Sequence, residues 1–375
     1  MMSRFLTSLA LTMVVANLVL VAPVSLVGQT PTPSSRTSPS LAGADVAKAF
    51  VGARMQKAYV PPKTPWGHPD LQGNFTNKDE ANTPLERPDE FAGKRMEDIT
   101  AEQLAAAVAA RQQNAVENAP FITGSRAEGI AIGVPIHWLD HLDANNSRPW
   151  FVIDPPDGMI PPQTPEAQQR AAARAAARQG RGPGDSYTDR SLWDRCIVRG
   201  TPVAEMMPKI YGNSFQILQT NTHVVIRYEM VHETRIIPLD DRPFNGIRSY
   251  FGDSRAHFEG NTLLVVSEGQ SYKDSVNFRG SSEKLRTIER FTRTGPNRVE
   301  WTVTVEDPGT WPRPWTYSVP LTEDDTQSIH EYACHEGNYA MANILSAQRS
   351  DERKGVSTAP PGSRESERAP EGGVR

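Results

Sequence analysis

Acid–base side chains stand out in the second half of the sequence, where apolar and polar residues alternate. Glu229 and His232 lie within the alternating segment 224–236, and Asp253 and Arg255 follow in a Gly-Asp-Ser-Arg motif. Histidine and carboxylates most often transfer protons in enzymes, so Glu229, His232 and Asp253 are candidate catalytic residues of a hydrolase or lyase. The alternative for the motif is structural, since Asp253 and Arg255 are spaced to form an ion pair.

A second group of residues is suited to holding a ligand without catalysis. Polar and aromatic side chains that face the interior of a β domain either satisfy one another or contact a ligand. The candidates are four residues on predicted inward faces and one arginine near the predicted mouth, namely Tyr228, His232, Glu289, Trp301 and Arg255. For each of them a purely structural role is the alternative.

The two cysteines, Cys196 and Cys334, bracket the alternating region. Export places a chain in an oxidising compartment, which favours a disulfide between them. His335 and Glu336 follow Cys334 directly and raise the alternative of a cysteine nucleophile. Neighbouring residues on a strand point to opposite faces and make poor catalytic partners, so the disulfide is the prediction.

A histidine pair, His137 and His141, has the i, i+4 spacing of a helical metal site, with Asp140 or Asp143 as a further ligand. No other ligand occurs at a supporting spacing, and the sequence predicts neither a metal site nor a cofactor. It also lacks a Gly-x-Ser-x-Gly motif, a Walker phosphate loop and a Cys-x-x-Cys pair. Missing motifs do not exclude an enzyme, because acid–base sites at a barrel mouth have no local signature.

The elements that must position these residues are predicted to be β-strands, because the apolar period beyond Tyr187 is two. The segment 224–236 is predicted to be a half-buried strand or a bent strand pair. Its even positions, including Ile236, are expected to face the core, and its odd positions, including Arg235, are expected to face solvent. Turn residues predict hairpins at 259–261 and 294–297. Further strands are predicted at 215–220, 247–251, 316–321 and 329–333.

This succession of short strands predicts a mainly β fold. An antiparallel meander of this length is expected to form a closed or strongly curved barrel, lipocalin-like in the loose sense, because closure removes exposed edges. A β-sandwich is the alternative. A Pro-rich arm should lay Trp66, Leu71 and Phe75 onto the barrel.

Two Ala-rich helices are predicted before the β region. Thr100 begins the first with a capping box, and Thr164 caps the second with Pro165 at its first position. The second helix carries a basic stripe of Arg170, Arg174 and Arg178 on one face. That stripe indicates either a solvated linker helix or a docking site for an acidic partner.

The predicted organisation has five parts: a signal peptide at 1–28, a disordered tether at 29–60, a Pro-rich arm and helical linker at 61–186, the antiparallel β domain at 187–350 and a disordered tail at 351–375. A positive residue, a long apolar run and a small-residue exit are typical of an export signal, so we expect a periplasmic or secreted protein. An uncleaved membrane anchor is the alternative. The net charge of −4 does not favour nucleic-acid binding.

Several blocks of the sequence are specific enough to compare with a family. They include 66–73 (Trp-Gly-His-Pro-Asp-Leu-Gln-Gly), 252–255 (Gly-Asp-Ser-Arg), 289–293 (Glu-Arg-Phe-Thr-Arg) and 331–338 (Glu-Tyr-Ala-Cys-His-Glu-Gly-Asn). Over roughly residues 64–348 the chain resembles an uncharacterised family of exported proteins of environmental bacteria. The resemblance implies export and a shared fold, and it implies no reaction.

The chain departs from that family pattern at three places. Phe244 and Arg286 stand where histidines are expected, and 267–270 (Ser-Glu-Gly-Gln) replaces the expected Thr-Thr-Asn-Phe. If those residues form a site in relatives, the site is altered here.

Three functions follow as hypotheses. The first is a non-catalytic barrel that binds a small apolar or amphipathic ligand; the second is a hydrolase or lyase; the third is an envelope scaffold or interaction protein. Contact with a membrane is expected only through the signal peptide or an uncleaved N-terminal anchor.

Overall fold

The computed structural model describes residues 59–117, 142, 144–270, 278–326 and 329–355, with backbone only for Val116 and His232. All of them belong to one compact unit, Leu41–Arg375. The predicted signal peptide, nearly all of the tether, the tail beyond 355 and the pair His137 and His141 lie outside these residues. Within the described ranges, the structure has no helix of the length and apolar character needed to cross a membrane.

The fold is mainly β, as predicted, and its single antiparallel sheet curves into a nearly closed barrel. The strands are β1 (Gly73–Thr76), β2 (Val152–Asp154), β3 (Ser214–Gln219), β4 (His223–Tyr228), β5 (Thr234–Pro238), β6 (Asp253–Glu259), β7 (Thr262–Glu268), β8 (Arg286–Gly295), β9 (Arg298–Glu306) and β10 (Trp315–Glu323). The helices are α1 (Ala101–Glu117), α2 (Pro165–Arg178), α3 (Pro202–Glu205) and α4 (Ala340–Arg353).

The strand order is β5-β4-β3-β1-β10-β9-β8-β7-β6, and β2 pairs with the start of β10. Every neighbouring pair is antiparallel, so the two end strands of this nine-strand path run parallel to each other. Strands β3, β5, β6, β8 and β10 all begin at one end of the barrel, which we call the lower end. The gap between β5 and β6, which we call the seam, is where the sheet fails to close.

The N-terminal arm supplies a strand of the sheet. Strand β1 lies between β3 and β10 and pairs with both, which buries Leu71 and Phe75 in the core while Trp66 stays 38% exposed. The side-chain Oε1 of Gln219 accepts a hydrogen bond of 2.6 Å from the Leu71 backbone amide. The arm therefore joins the two halves of the sheet, a larger role than the predicted packing on its surface.

The segment 224–236 bends, and the bend reverses its inward face. Strand β4 is followed by a short 3-10 turn over Met230–His232, in which Val231 has a φ of 56°. After the turn the odd positions face inward: Arg235 is 4% exposed and Ile236 is 66% exposed. The prediction for these two residues was wrong, because a shift of one residue moves every following side chain to the other face.

The hairpins were predicted correctly, since β6 and β7 join at 260–261 and β8 and β9 join at 296–297. Strand β9 alternates as expected, with Val299, Trp301, Val303 and Val305 all at 0% exposure. The structure describes the segments 247–251 and 329–333, and neither forms the predicted strand. Neither segment joins the sheet, whose path ends at β5 and β6.

Both predicted helix caps are present. Thr100 and Gln103 form the capping box of α1, and the Thr164 hydroxyl accepts from the Ala167 amide at the start of α2. Arg170 does not face solvent as part of a free stripe, because its guanidinium donates 2.8 Å hydrogen bonds to the Gly309 carbonyl and the Thr310 hydroxyl. It fastens α2 to the loop between β9 and β10.

The predicted disulfide is present between Cys196 and Cys334, with a Cα–Cα distance of 5.7 Å. It ties the C-terminal segment to the loop that precedes α3. The same segment is held further along by Arg349, whose guanidinium donates to the carbonyls of Gly184 and Asp185. Few of its residues are buried, so the disulfide is a principal attachment of this segment.

Reduction of this disulfide is expected to lower the free energy of unfolding by about 2–5 kcal/mol, because the bridge joins residues 138 positions apart. Denaturant unfolding with and without a reductant measures the change. The double variant Cys196→Ser/Cys334→Ser should have the same free energy of unfolding as the reduced protein, and the reductant should not change it. An unchanged midpoint on reduction would contradict a stabilising bridge.

Candidate functional site

The antiparallel topology places the candidate catalytic residues at the same end of the barrel. Glu229 begins the turn between β4 and β5, His232 lies in that turn, and Asp253 is the first residue of β6. All three positions are therefore at the lower end. For His232 the structure describes the backbone alone.

The two carboxylates are each engaged by other groups. Glu229 Oε2 accepts from the Ser214 amide at 3.2 Å, and the Glu229 amide donates to the Ser214 carbonyl at 3.1 Å. Asp253 accepts from both Nη atoms of Arg255, so the expected ion pair is present. Among the described side chains, no hydrogen bond joins Glu229 to Asp253, and the catalytic assignment stays a prediction.

An ion pair lies inside the barrel at the seam. Arg235 on β5 directs its Nη2 atom to Glu289 Oε1 on β8 at 2.7 Å. The same guanidinium donates to the hydroxyls of Ser254 on β6 and Ser267 on β7, at 3.1 and 2.6 Å. The second Glu289 oxygen accepts from Trp301 Nε1 at 3.1 Å. One side chain thus crosses the seam and contacts three strands.

Because this network is buried, each of its charged groups needs a partner. Arg235 is 4% exposed and Glu289 is 0% exposed, and buried charges are tolerated when they are paired and hydrogen bonded. Burial by itself would lower the pKa of Arg235, but the adjacent Glu289 carboxylate and Tyr228 raise it above its ordinary value. The guanidinium therefore keeps its charge. Burial also raises the pKa of the Tyr228 hydroxyl.

Three of the candidate ligand-binding residues belong to this packed interior. Tyr228 packs edge-on against Phe215 and Phe251, with ring centroids 5.9 and 5.7 Å apart. Trp301 packs edge-on against Tyr317 at 5.6 Å and holds Glu289. The interior arrangement brings Tyr228, Glu289 and Trp301 together, and Arg255 lies apart from them beside Asp253 and the Phe244 ring.

A cleft of about 320 Å³ opens on the outside of the lower end, and we call it the lower cleft. Its walls are the loop between β5 and β6, the end of β7 and the segment leading into β8. Its apolar lining residues are Phe244, Ile247 and Leu285. Its charged lining residues are three cations and three carboxylates, namely Arg248, Lys284, Arg286, Asp253, Glu268 and Glu283. Ile247 is 63% exposed.

The guanidinium groups of the lower cleft are held in place by carboxylates. Arg286 pairs with Glu268 at 3.3 Å and with Glu306 at 2.6 Å, and Arg248 pairs with Glu283 at 2.9 Å. These pairs fix the direction of each cation. A planar guanidinium has five donors, so a pair with one carboxylate does not use all of them.

Gly252 shapes the floor of the lower cleft. Its φ of +71° lies in the left-handed region, and a Cβ atom there would lie 2.2 Å from the Glu268 carbonyl oxygen. A second clash would occur with the Gln270 side chain at 2.8 Å. Only glycine lets the loop pass this close to the end of β7.

The residues singled out in the sequence at 244, 286 and 267–270 fall at the lower end. Phe244, Arg286 and the pair Glu268 and Gly269 line the lower cleft. Gln270 turns inward and donates to the Thr287 hydroxyl at 2.7 Å. Four of these residues, Phe244, Glu268, Gly269 and Arg286, thus lie around one cleft.

A second cleft, of about 360 Å³, lies between Glu86, Ile160, Gln163, Arg279 and Trp311. Both oxygens of the Glu86 carboxylate have partners there. Oε1 accepts from the Ile160 amide at 2.8 Å, and Oε2 lies 3.7 Å from the Arg279 guanidinium. None of the residues predicted to bind or catalyse lines this cleft. The described part of the chain contains no group of three His, Cys, Asp or Glu side chains placed to hold a metal ion.

Sequence reasoning missed both Arg235 and the lower cleft. Arg235 was assigned to the solvent side because nothing in the alternation shows the turn at Val231. The cleft loop was expected to contain a strand at 247–251. The inward position of Arg235 could have been inferred from its pairing with Ser254 and Ser267. That pairing can be recognised only when the register of the strands is known.

Comparison with known proteins adds no identification. No protein-family model, no curated protein and no solved structure matches this chain.

Replacement of Gly252 by alanine is expected to cost more stability than replacement of Gly260. Both glycines have positive φ, so each substitution should cost about 1–2 kcal/mol for the left-handed backbone. A Cβ at Gly260 meets open space, whereas at Gly252 it overlaps the end of β7, which should add about 1–3 kcal/mol. Urea unfolding of Gly252→Ala and Gly260→Ala measures both costs, and equal costs would show that the close approach at the lower cleft is wrong.

Proposed function

We propose that the protein is an exported, non-catalytic binding protein that holds a small amphipathic ligand in the lower cleft, outside the barrel. Ligand binding is also the function expected from the sequence. The site expected there was inside the barrel, whereas the site proposed here is outside it. The observation that carries it is the position of an exposed apolar wall opposite fixed guanidinium groups.

The packing of the interior supports an external site. Trp301, Tyr317, Phe291 and Tyr228 are each at 0% exposure, and Glu289 lies among them with both oxygens hydrogen bonded. A ligand entering here would have to displace aromatic side chains and break a buried ion pair. Breaking such a pair costs about 3–5 kcal/mol, more than a small ligand readily offsets.

The dimensions and chemistry of the lower cleft support an amphipathic ligand. Its volume of about 320 Å³ lies at the low end of roughly 300–1,000 Å³ for ligand pockets. Phe244 and Ile247 offer apolar contact, and Arg248 and Arg286 offer donors to a carboxylate. An apolar body with one anionic group fits both sides of the cleft.

A hydrolase or lyase is the second candidate, because the Asp253 carboxylate lines the same cleft. Both of its oxygens accept from Arg255, however, so the carboxylate is arranged to orient that arginine. This arrangement favours binding over proton transfer.

Binding is tested with octanoate and phenylacetate as anionic amphipathic probes and phenethylamine as a cationic one. Thermal shift and calorimetry on the purified protein should show binding of the anionic probes, with stabilisation of about 2.7 kcal/mol at a hundredfold excess over Kd. Ile247→Ser should weaken this binding about tenfold through lost apolar contact.

The matched control is Leu218→Ser, which removes an exposed apolar side chain from the outer face of β3, away from the lower cleft. It should leave affinity unchanged. Equal losses in the two variants, or no binding of any probe, would contradict the proposed site. Turnover of an ester analogue that disappears in Asp253→Asn would instead support the enzyme.

A further inference from the structure

An arginine of the second cleft occupies a backbone position that does not suit it. Arg279 and Gly280 have φ values of 54° and 82°, and the Ser281 amide donates to the Phe278 carbonyl at 3.1 Å. These are features of a type I′ turn, in which asparagine, aspartate or glycine is preferred at the first central position. Arginine there incurs the cost of a left-handed backbone. Such residues cluster at ligand-binding sites, where the side chain is needed.

The turn that carries this arginine is fixed to the walls of the second cleft. Nε2 of Gln163 donates to the Arg279 carbonyl at 3.3 Å. Phe278 is buried and stacks on Trp315, with ring centroids 5.9 Å apart. Trp311 lines the cleft and packs edge-on against the same Trp315 ring at 5.5 Å. The backbone of Arg279 therefore has a fixed place in the cleft wall.

The two charged groups of the second cleft are only loosely paired with each other. Nη2 of Arg279 lies 3.7 Å from Glu86 Oε2, which is too long for a hydrogen bond. Within the part of the chain that the structure describes, neither the Arg279 guanidinium nor Glu86 Oε2 forms a hydrogen bond. The two side chains are 33% and 13% exposed. A guanidinium fork and a carboxylate oxygen thus remain available side by side.

We propose that the second cleft binds a free α-amino acid with an apolar side chain. The carboxylate of the ligand accepts from the Arg279 guanidinium, and its ammonium group donates to Glu86 Oε2. The apolar side chain lies against Ile160, Pro161 and Pro162, which line the same cleft. The cleft volume of about 360 Å³ is within the range of roughly 300–1,000 Å³ for small-molecule sites.

The adjacent opposite charges select a zwitterion. A carboxylate ligand without an ammonium group would bring its negative charge next to Glu86, and an amine without a carboxylate would bring its positive charge next to Arg279. Placing like charges together opposes binding strongly. An α-amino acid has both charged groups on one carbon atom, so each can meet an opposite charge. No residue lines both clefts, so this inference does not depend on the proposed function.

The test is calorimetry on the purified, disulfide-bonded protein with L-leucine and two singly charged analogues. Isocaproate is leucine without the amino group, and isoamylamine is leucine without the carboxylate. Leucine should bind, and each analogue should bind to the second cleft about tenfold more weakly or worse. Absence of leucine binding, or an analogue that binds this cleft as tightly as leucine, overturns the proposal.

The variant Arg279→Asn separates binding from folding. Asparagine suits the turn, so the variant should unfold at the same urea concentration as the wild type or at a higher one, and it should lose leucine affinity about tenfold or more. Binding of an analogue is assigned to the second cleft only where Arg279→Asn removes it. The matched control Arg313→Asn removes an exposed arginine outside the cleft and should keep wild-type affinity. Unchanged leucine affinity in Arg279→Asn, or an equal loss in Arg313→Asn, contradicts the proposal.

The variant Glu86→Gln tests the selection of a zwitterion. Glutamine keeps an oxygen for the Ile160 amide and removes the negative charge. Isocaproate should therefore bind more tightly than it does to the wild type, and leucine should bind more weakly. An unchanged preference for leucine over isocaproate overturns the role of Glu86.

Discussion

The ion pair between Arg235 and Glu289 is the constraint on which the barrel depends. A path of nine strands with antiparallel neighbours ends in two parallel strands, so the sheet cannot complete its circuit by adding another antiparallel ladder. Strands β5 and β6 nevertheless approach each other. Arg235 crosses the seam between them and bonds to side chains on β6, β7 and β8. A network of side chains thus joins the two edges where backbone pairing stops.

This packing of the interior supports a proposed binding site outside the barrel. The ion pair and the aromatic side chains around it occupy the interior. The interior is thus filled by side chains, whereas a lipocalin holds its ligand there. The long connection from β5 to β6 must instead travel from one end of the barrel to the other, and on its way it forms a wall of the lower cleft. The closure of the seam and the proposed binding site are therefore consequences of the same odd strand number.

Local features of the fold were predictable because their causes are local. The alternation along β9, the turn residues at both hairpins and the caps at Thr100 and Thr164 can each be recognised in a short stretch of sequence. The disulfide could be predicted because the chain has two cysteines and was expected to be exported. The reversal at Val231 was not predictable, since a single residue of positive φ changes the phase without breaking the apolar pattern. The insertion of β1 was hidden as well, because its pairing partners lie about 140 and 250 residues away. Arg235 could be placed only after both were known.

The most direct test of this account is a double-mutant cycle between the two charges at the seam. The free energy of unfolding is measured by denaturant for the wild type, Arg235→Met, Glu289→Gln and the double variant. Each single change leaves a buried charge without its partner, so each should cost about 3–5 kcal/mol, and the double variant should cost well below their sum. We predict a coupling energy of about 2–3 kcal/mol. Costs that add to within about 0.5 kcal/mol would show that the pair does not hold the seam together.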